Sequence, residues 1–127
     1  MMPAPRILIV DDAALVRRYY REGLRRAGYE VDEALNGLEA LERLLTAPAD
    51  LLIVDINMPK MDGLSFLRAL RRQALPLAAT PALVTSTERQ PGDLDAARAA
   101  GANFYLVKPV SQDSLTRMVN LLCGVPA

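Results

Sequence analysis

The chain has 127 residues, 51% of them apolar and 24% charged, which suits one domain with a substantial core and leaves no room for a second. Fifteen basic residues balance fifteen acidic ones, and zero formal charge argues against nucleic-acid binding. No histidine is present, which excludes histidine zinc sites, Ser-His or Cys-His nucleophile pairs and a phosphohistidine-carrier role.

The single cysteine, Cys123, cannot form an internal disulfide, which fits a reducing cytoplasm. No apolar run approaches the roughly 20 residues needed to span a bilayer. The opening Met1-Met2-Pro3-Ala4-Pro5-Arg6 lacks the apolar stretch of a secretory signal. Neither a membrane nor a nucleic acid is therefore an expected partner.

Short apolar runs alternate with amphipathic stretches. Ile7-Leu8-Ile9-Val10 is a β-prone run of the kind buried on both faces. Leu15, Val16, Tyr19, Tyr20, Gly23, Leu24 and Ala27 then recur at helical spacing, and Gly28 stands where a left-handed helix end favours glycine. Tyr29 to Ala34 gives a weaker strand. Asn36 with Glu39 resembles a capping box for a helix carrying Leu38, Leu41, Leu44 and Leu45. Leu51-Leu52-Ile53-Val54 is the clearest strand. A helix follows Asp62-Gly63, with Leu64, Leu67 and Leu70 inward. Ala82-Leu83-Val84 is the fourth strand. Leu94, Ala97 and Ala100 mark a helix closed by Gly101. Phe104-Tyr105-Leu106-Val107 is the fifth strand, and Ser111 caps a last helix with Leu115, Met118, Val119 and Leu122.

Strict β-α alternation implies a doubly wound parallel sheet with helices on both faces. Sites in such sheets lie beyond the carboxyl ends of the strands, where strand order reverses. Asp11 and Asp12 follow the first strand, Asp55 the third, Thr85 and Ser86 the fourth, and Lys108 the fifth. Any one carboxylate alone would read as a helix cap. Together they form a site. Two carboxylates ~4 Å apart repel by roughly 4 kcal/mol at an effective dielectric of about 20. One lysine offsets only part of that, so a cation is expected. Oxygen donors alone select a hard ion, and Mg²⁺ is the natural choice. Asp55, at the end of the most buried run, is the best-fixed carboxylate and can itself accept a phosphoryl group. Lys108 and the Thr85 hydroxyl would then bind the phosphoryl oxygens.

The segments Val10-Asp11-Asp12, Val54 to Gly63 (Val-Asp-Ile-Asn-Met-Pro-Lys-Met-Asp-Gly), Val84-Thr85-Ser86 and Val107-Lys108-Pro109 resemble the receiver domain of bacterial two-component response regulators. The likeness is nearest to stand-alone chemotaxis-type regulators, with Arg17-Arg18 in the first helix and Tyr105 before the lysine. It implies a flavodoxin-like (βα)5 sandwich with strand order 2-1-3-4-5. It implies a single receiver domain over residues 1–127, with a core of about 6–122 and no output domain. It implies Asp55 as phosphoacceptor, with Asp12, Asp55 and the Asn57 main-chain carbonyl as direct Mg²⁺ ligands and Asp11 acting through water. Thr85 and Lys108 would contact the phosphoryl group, Tyr105 would be an aromatic switch, and Lys108-Pro109 a cis peptide. Tyr105 can also be read as a half-exposed strand aromatic.

The implied protein is a non-enzymatic, cytoplasmic phosphoacceptor. A histidine kinase or phosphotransfer protein would supply the phosphoryl group. A downstream protein, such as a flagellar motor switch, would bind the surface around Tyr105. A monomer is expected, with dimerisation possible on activation. Two other readings compete. An aspartyl-nucleophile phosphatase of the haloacid-dehalogenase type would need a second Asp where Asn57 stands. A non-phosphorylated protein-binding receiver would tend to lose the acidic residues or the lysine, and all are present. Thr87 replaces the acidic residue often found there in motor-type regulators and, with Asn57, flanks the path of hydrolytic water. Arg17, Arg18, Arg21 and Arg25 read either as a solvated helix face or as a dock for an acidic partner.

Overall fold

The computed structural model describes residues 3–58, 62–87 and 90–124. In chain order these form β1 (Arg6–Val10), α1 (Ala14–Arg26), β2 (Glu30–Ala34), α2 (Gly37–Thr46), β3 (Leu51–Asp55) and α3 (Gly63–Arg71). A short 3₁₀ turn (Leu77–Ala79), β4 (Ala82–Ser86), α4 (Pro91–Ala100), β5 (Phe104–Val107) and α5 (Gln112–Leu122) complete the order. Pro59, Lys60 and Met61, in the segment after β3, lie outside the described residues. The five strands are parallel in the order β2-β1-β3-β4-β5, as the resemblance implies.

Strand alternation divides the core in two. Leu8, Val10, Leu52, Val54, Ala82 and Val84 pack against Ala40 and Leu44 of α2 and Phe66, Leu67 and Leu70 of α3. Ile7, Ile9, Leu51, Ile53 and Leu83 pack against Tyr20 and Leu24 of α1 and Leu115 and Val119 of α5. Each fully buried aliphatic side chain stabilises the fold by about 1.5–3 kcal/mol relative to exposure. The edge strand β5 differs, since none of its residues is fully buried.

The expected apolar stripes are wider than the faces actually covered. In α1 the buried line is Tyr20, Gly23 and Leu24, whereas Leu15 and Tyr19 are exposed. A helix turns ~100° per residue, so Leu15 and Tyr19 sit at the border of the face set by Val16 and Tyr20. Tyr19 instead meets α5, where its hydroxyl accepts from Gln112 N at 3.1 Å. In α2, Leu38 and Leu45 likewise face solvent. The Asn36 side chain does cap α2, accepting from Glu39 N at 2.9 Å. The Glu39 carboxylate, however, accepts from Leu35 N at 3.3 Å.

Arg71, at the end of α3, ties three segments together. Its Nη1 donates to the carbonyls of Ala78 (3.0 Å) and Thr80 (2.6 Å). Its Nε and Nη2 donate to Gly101 O at 3.0 and 2.7 Å, and Nη2 also reaches Asn103 Oδ1 at 3.0 Å. Gly101 has φ +108°, and a Cβ there would lie 2.6 Å from Arg71 Cγ, so glycine is required on both counts. Burial lowers the Arg71 pKa below the usual guanidinium range, yet the carbonyls keep the cation satisfied. Arg71→Ala leaves them unpartnered and is expected to lower stability by about 3 kcal/mol. Arg71→Lys should recover less than half, because an ammonium cannot span the same fork of acceptors. Urea denaturation of the variants measures both effects.

Candidate functional site

The alternation that sorts the core also selects the site. On the α1/α5 side the sequence runs Ile7, Ile9, Asp11 along β1 and Leu51, Ile53, Asp55 along β3. Each series changes from aliphatic to carboxylate as it passes the carboxyl end of its strand. Asp11 continues the ladder, its N donating to Ala34 O at 3.1 Å. Register places Asp55 opposite Thr85. Oxygens of Asp11, Asp12 and Asp55 all lie within 4.8 Å of one another. Asp11 and Asp55 are buried, at 1% and 3% exposure, while Asp12 faces solvent.

Lys108 is the cation of the group. Its Nζ stands 3.5 Å from Asp11 Oδ2 and 3.4 Å from Asp55 Oδ1. The Lys108–Pro109 peptide is cis, and Lys108 N donates to Ser86 O at 2.7 Å. Backbone donors hold the buried carboxylates: Ala13 N reaches Asp11 Oδ1 at 2.9 Å, and Asn57 N reaches Asp55 Oδ1 at 3.0 Å. Burial raises the Asp11 pKa above 3.8, and the neighbouring Asp55 adds to the rise, against the opposing pull of Ala13 N–H and Lys108. Tyr20, packed in the core on this side of the sheet, is pushed up to about 12 by burial and then by Asp11 and Asp55, so its phenol stays neutral.

Thr85 is 1% exposed, and its Oγ1 is the one buried side-chain oxygen or nitrogen among the described residues without a hydrogen-bond partner. A buried hydroxyl without a partner is uncommon in a folded protein. Asn57 Nδ2 lies 3.4 Å from Thr87 Oγ1. Gly63 begins α3 directly against the acidic strand: a Cβ there would lie 2.5 Å from Asp55 O and 2.6 Å from Ile56 Cα. Tyr105 pairs in register with Val84 and packs half-buried against the core on the α2/α3 side. Beside it, Leu94, Ala97, Ala102 and Phe104 line a groove of about 290 Å³.

The arginines of α1 are not a free basic face. Arg17 Nε donates to Glu33 Oε1 at 3.1 Å, and Arg21 pairs with Glu33 Oε2. Arg18 pairs with Glu22 on its own helix. Glu33, at the end of β2, carried no signal on its own. Its sign was the pair Arg17 and Arg21, one helical turn apart and facing the same strand end.

Residues 7–120 match the family of the response regulator receiver domain. The chain belongs to that family. The receiver domain is 36% identical to the chemotaxis protein CheY4 of Vibrio cholerae, with TM-score 0.88 over 94% of this chain and 98% of that one. A putative response regulator from Chloroflexus aurantiacus is 34% identical, with TM-score 0.87 over 95% of this chain and 98% of that one. The transcriptional regulatory protein PrrA of Mycobacterium leprae is 39% identical over 119 residues, 94% of this chain and 50% of PrrA. The same identity over the same span holds for PrrA of Mycobacterium tuberculosis. The receiver domain thus spans about half the length of these curated relatives. Among the described residues, no helix is long and apolar enough to cross a membrane.

Receiver domains bind Mg²⁺ in an acidic pocket, and the residues here fit it. The donors are carboxylate oxygens, the donor type of a hard divalent ion, and three carboxylates face one ammonium. A proton bound by Asp11 helps the fold below its unfolded value of 3.8, and that help is lost as pH rises through the raised folded-state value. In chelator, Asp11→Asn should therefore melt above wild type at neutral pH, with the gap narrowing toward about pH 4. Mg²⁺ should raise the wild-type melting temperature, through about 2.7 kcal/mol at a hundredfold excess over Kd. Calorimetric melts across pH, with and without Mg²⁺, read all three.

Proposed function

We propose that this receiver domain accepts a phosphoryl group on Asp55 from a phosphohistidine donor and thereby switches a protein-binding surface. The carrying observation is the setting of Asp55. It is a buried carboxylate at the end of a central strand, with Oδ1 engaged by Asn57 N and Lys108 Nζ. It stands opposite a hydroxyl that has no hydrogen-bond partner among the described residues.

An Asp55 carboxylate oxygen forms the new bond to phosphorus as the phosphorus–nitrogen bond to the donor imidazole breaks. The imidazole nitrogen leaves with the electron pair and takes a proton from solvent. Asp11, Asp12, Asp55 and the Asn57 carbonyl would hold Mg²⁺, which supplies charge neutralisation at the transferring oxygens. Lys108 pairs with a phosphoryl oxygen, and Thr85 donates to another. Asn57 has only an amide where an aspartyl phosphatase needs a proton-transferring acid, so the acyl phosphate persists as a signal.

Output runs through the surface of α4, β5 and α5. Drawing Thr85 toward phosphorus shifts the end of β4, where the Val84–Tyr105 pair meets the α4 groove. A contact with another protein, such as a flagellar motor switch, accords with the likeness to a chemotaxis regulator.

Acetyl phosphate with Mg²⁺ should label the protein once. Asp55→Asn should abolish the label and keep the fold, as intact mass and circular dichroism would report. Labelling that survives and maps to Ser86 or Thr87 overturns the assignment. Thr85→Ala should still accept phosphate, yet lose at least about fivefold of the affinity that beryllofluoride adds for the downstream partner. Titration calorimetry of wild type and variant measures that gain, and a full wild-type gain in Thr85→Ala would move the switch elsewhere.

A further inference from the structure

The turn between β1 and α1 has to hold two adjacent carboxylates beside a third. Its backbone is secured at three points. Asp11 N donates to Ala34 O at 3.1 Å, Arg17 N donates to Ala13 O at 3.0 Å, and Ala13 N donates to Asp11 Oδ1 at 2.9 Å. A fourth tie comes from a side chain. Arg17 Nη1 donates to the Asp11 carbonyl at 2.6 Å, while its Nε donates to Glu33 Oε1 at 3.1 Å. The Arg17 side chain is only 13% exposed, so its charge needs a partner, and Glu33 supplies it from the end of β2. Arg21 takes the other oxygen of Glu33.

We infer that Arg17, anchored by Glu33, is a positioning residue for the acidic site: it fixes the Asp11 carbonyl, and through it the turn that aims Asp11 and Asp12. This rests on the reading of the acidic site as the Mg²⁺ and phosphoryl site. Among the described residues the guanidinium makes no hydrogen bond or ion pair with the carboxylates of Asp11, Asp12 or Asp55, and acts through the backbone of Asp11. Its fork is what the geometry needs, because one head group serves the carbonyl and the carboxylate together. A lysine offers a single centre and serves one or the other.

The test compares Mg²⁺ affinity with stability in the full chain. Isothermal titration with MgCl₂ gives Kd, and thermal melts in chelator give stability, for wild type, Arg17→Ala, Arg17→Lys, Glu33→Gln and Arg21→Ala. Outer groups that orient ligands typically change metal affinity by about 10- to 100-fold. Arg17→Ala is expected to weaken Mg²⁺ binding by about tenfold or more, with Arg17→Lys and Glu33→Gln in between. Arg21→Ala, which touches Glu33 but not the turn, should stay within about twofold of wild type, within the spread of such measurements. If Arg17→Ala fails to fold, Arg17→Lys and Glu33→Gln decide the matter. Folded Arg17 and Glu33 variants with wild-type Kd overturn the inference, whatever their melting temperatures. An equal loss in Arg21→Ala overturns it too, by reducing the effect to general destabilisation. Wild type that binds no Mg²⁺ and takes no label at Asp55 overturns the functional reading and this inference with it. Wild type that does both, beside unaffected Arg17 variants, overturns this inference alone.

Discussion

Like charge held at close quarters governs this molecule. Asp11, Asp12 and Asp55 bring carboxylate oxygens within 4.8 Å of one another, and two of the three carboxylates are buried. A chain left to itself would separate them. The sheet opposes it, because Asp11 follows β1 and Asp55 ends β3, two strands whose aliphatic residues are all buried. The apolar mass behind them, from Ile7 and Ile9 to Ile53 and Leu83, sustains that repulsion. Folding energy gained in the core is held as electrostatic tension at its edge.

The groups around the carboxylates relieve that tension in part. Lys108 reaches two of them at hydrogen-bond range, and the N–H groups of Ala13 and Asn57 each take an oxygen. These donors leave the site short of neutral, because three carboxylates face one ammonium. On the proposed reading a divalent cation and a phosphoryl group would act as a pair. The cation would offset charge that the strands impose, and the phosphoryl group would bring new oxygens for the same cation and lysine. A site already neutral would bind neither with any urgency.

Most of this was legible in the chain before its fold was known. Strands buried on both faces write continuous apolar runs, and the residue that ends each run must stand at the sheet edge. Asp11, Asp55, Thr85 and Lys108 could therefore be brought together from local pattern alone. Arg71, Arg17 and Glu33 could not. Each works through partners on another element, and its own neighbourhood reads as an ordinary solvated helix or strand. The exposed Leu15, Tyr19, Leu38 and Leu45 fall outside the covered faces for a related reason. Helical periodicity gives the direction of a face but not its width, which depends on how much the neighbouring elements cover.

The unpartnered hydroxyl of Thr85 sets the scale on which such a switch can work. Leaving a buried hydroxyl unsatisfied costs about 1–3 kcal/mol. An oxygen that accepts from it in the active conformation alone relieves that cost there and nowhere else. The relief is the differential affinity that biases the equilibrium, and a ligand can shift conformations by no more than this. About 1–3 kcal/mol corresponds to a roughly 5- to 150-fold change in partner affinity. That range is graded rather than absolute, so on the proposed reading the unphosphorylated chain would sample the active surface and bind its partner weakly. Tyr105 is suited to such an equilibrium. It lies on an edge strand, half-buried beside an open groove, and is not locked in the core on either side of the sheet.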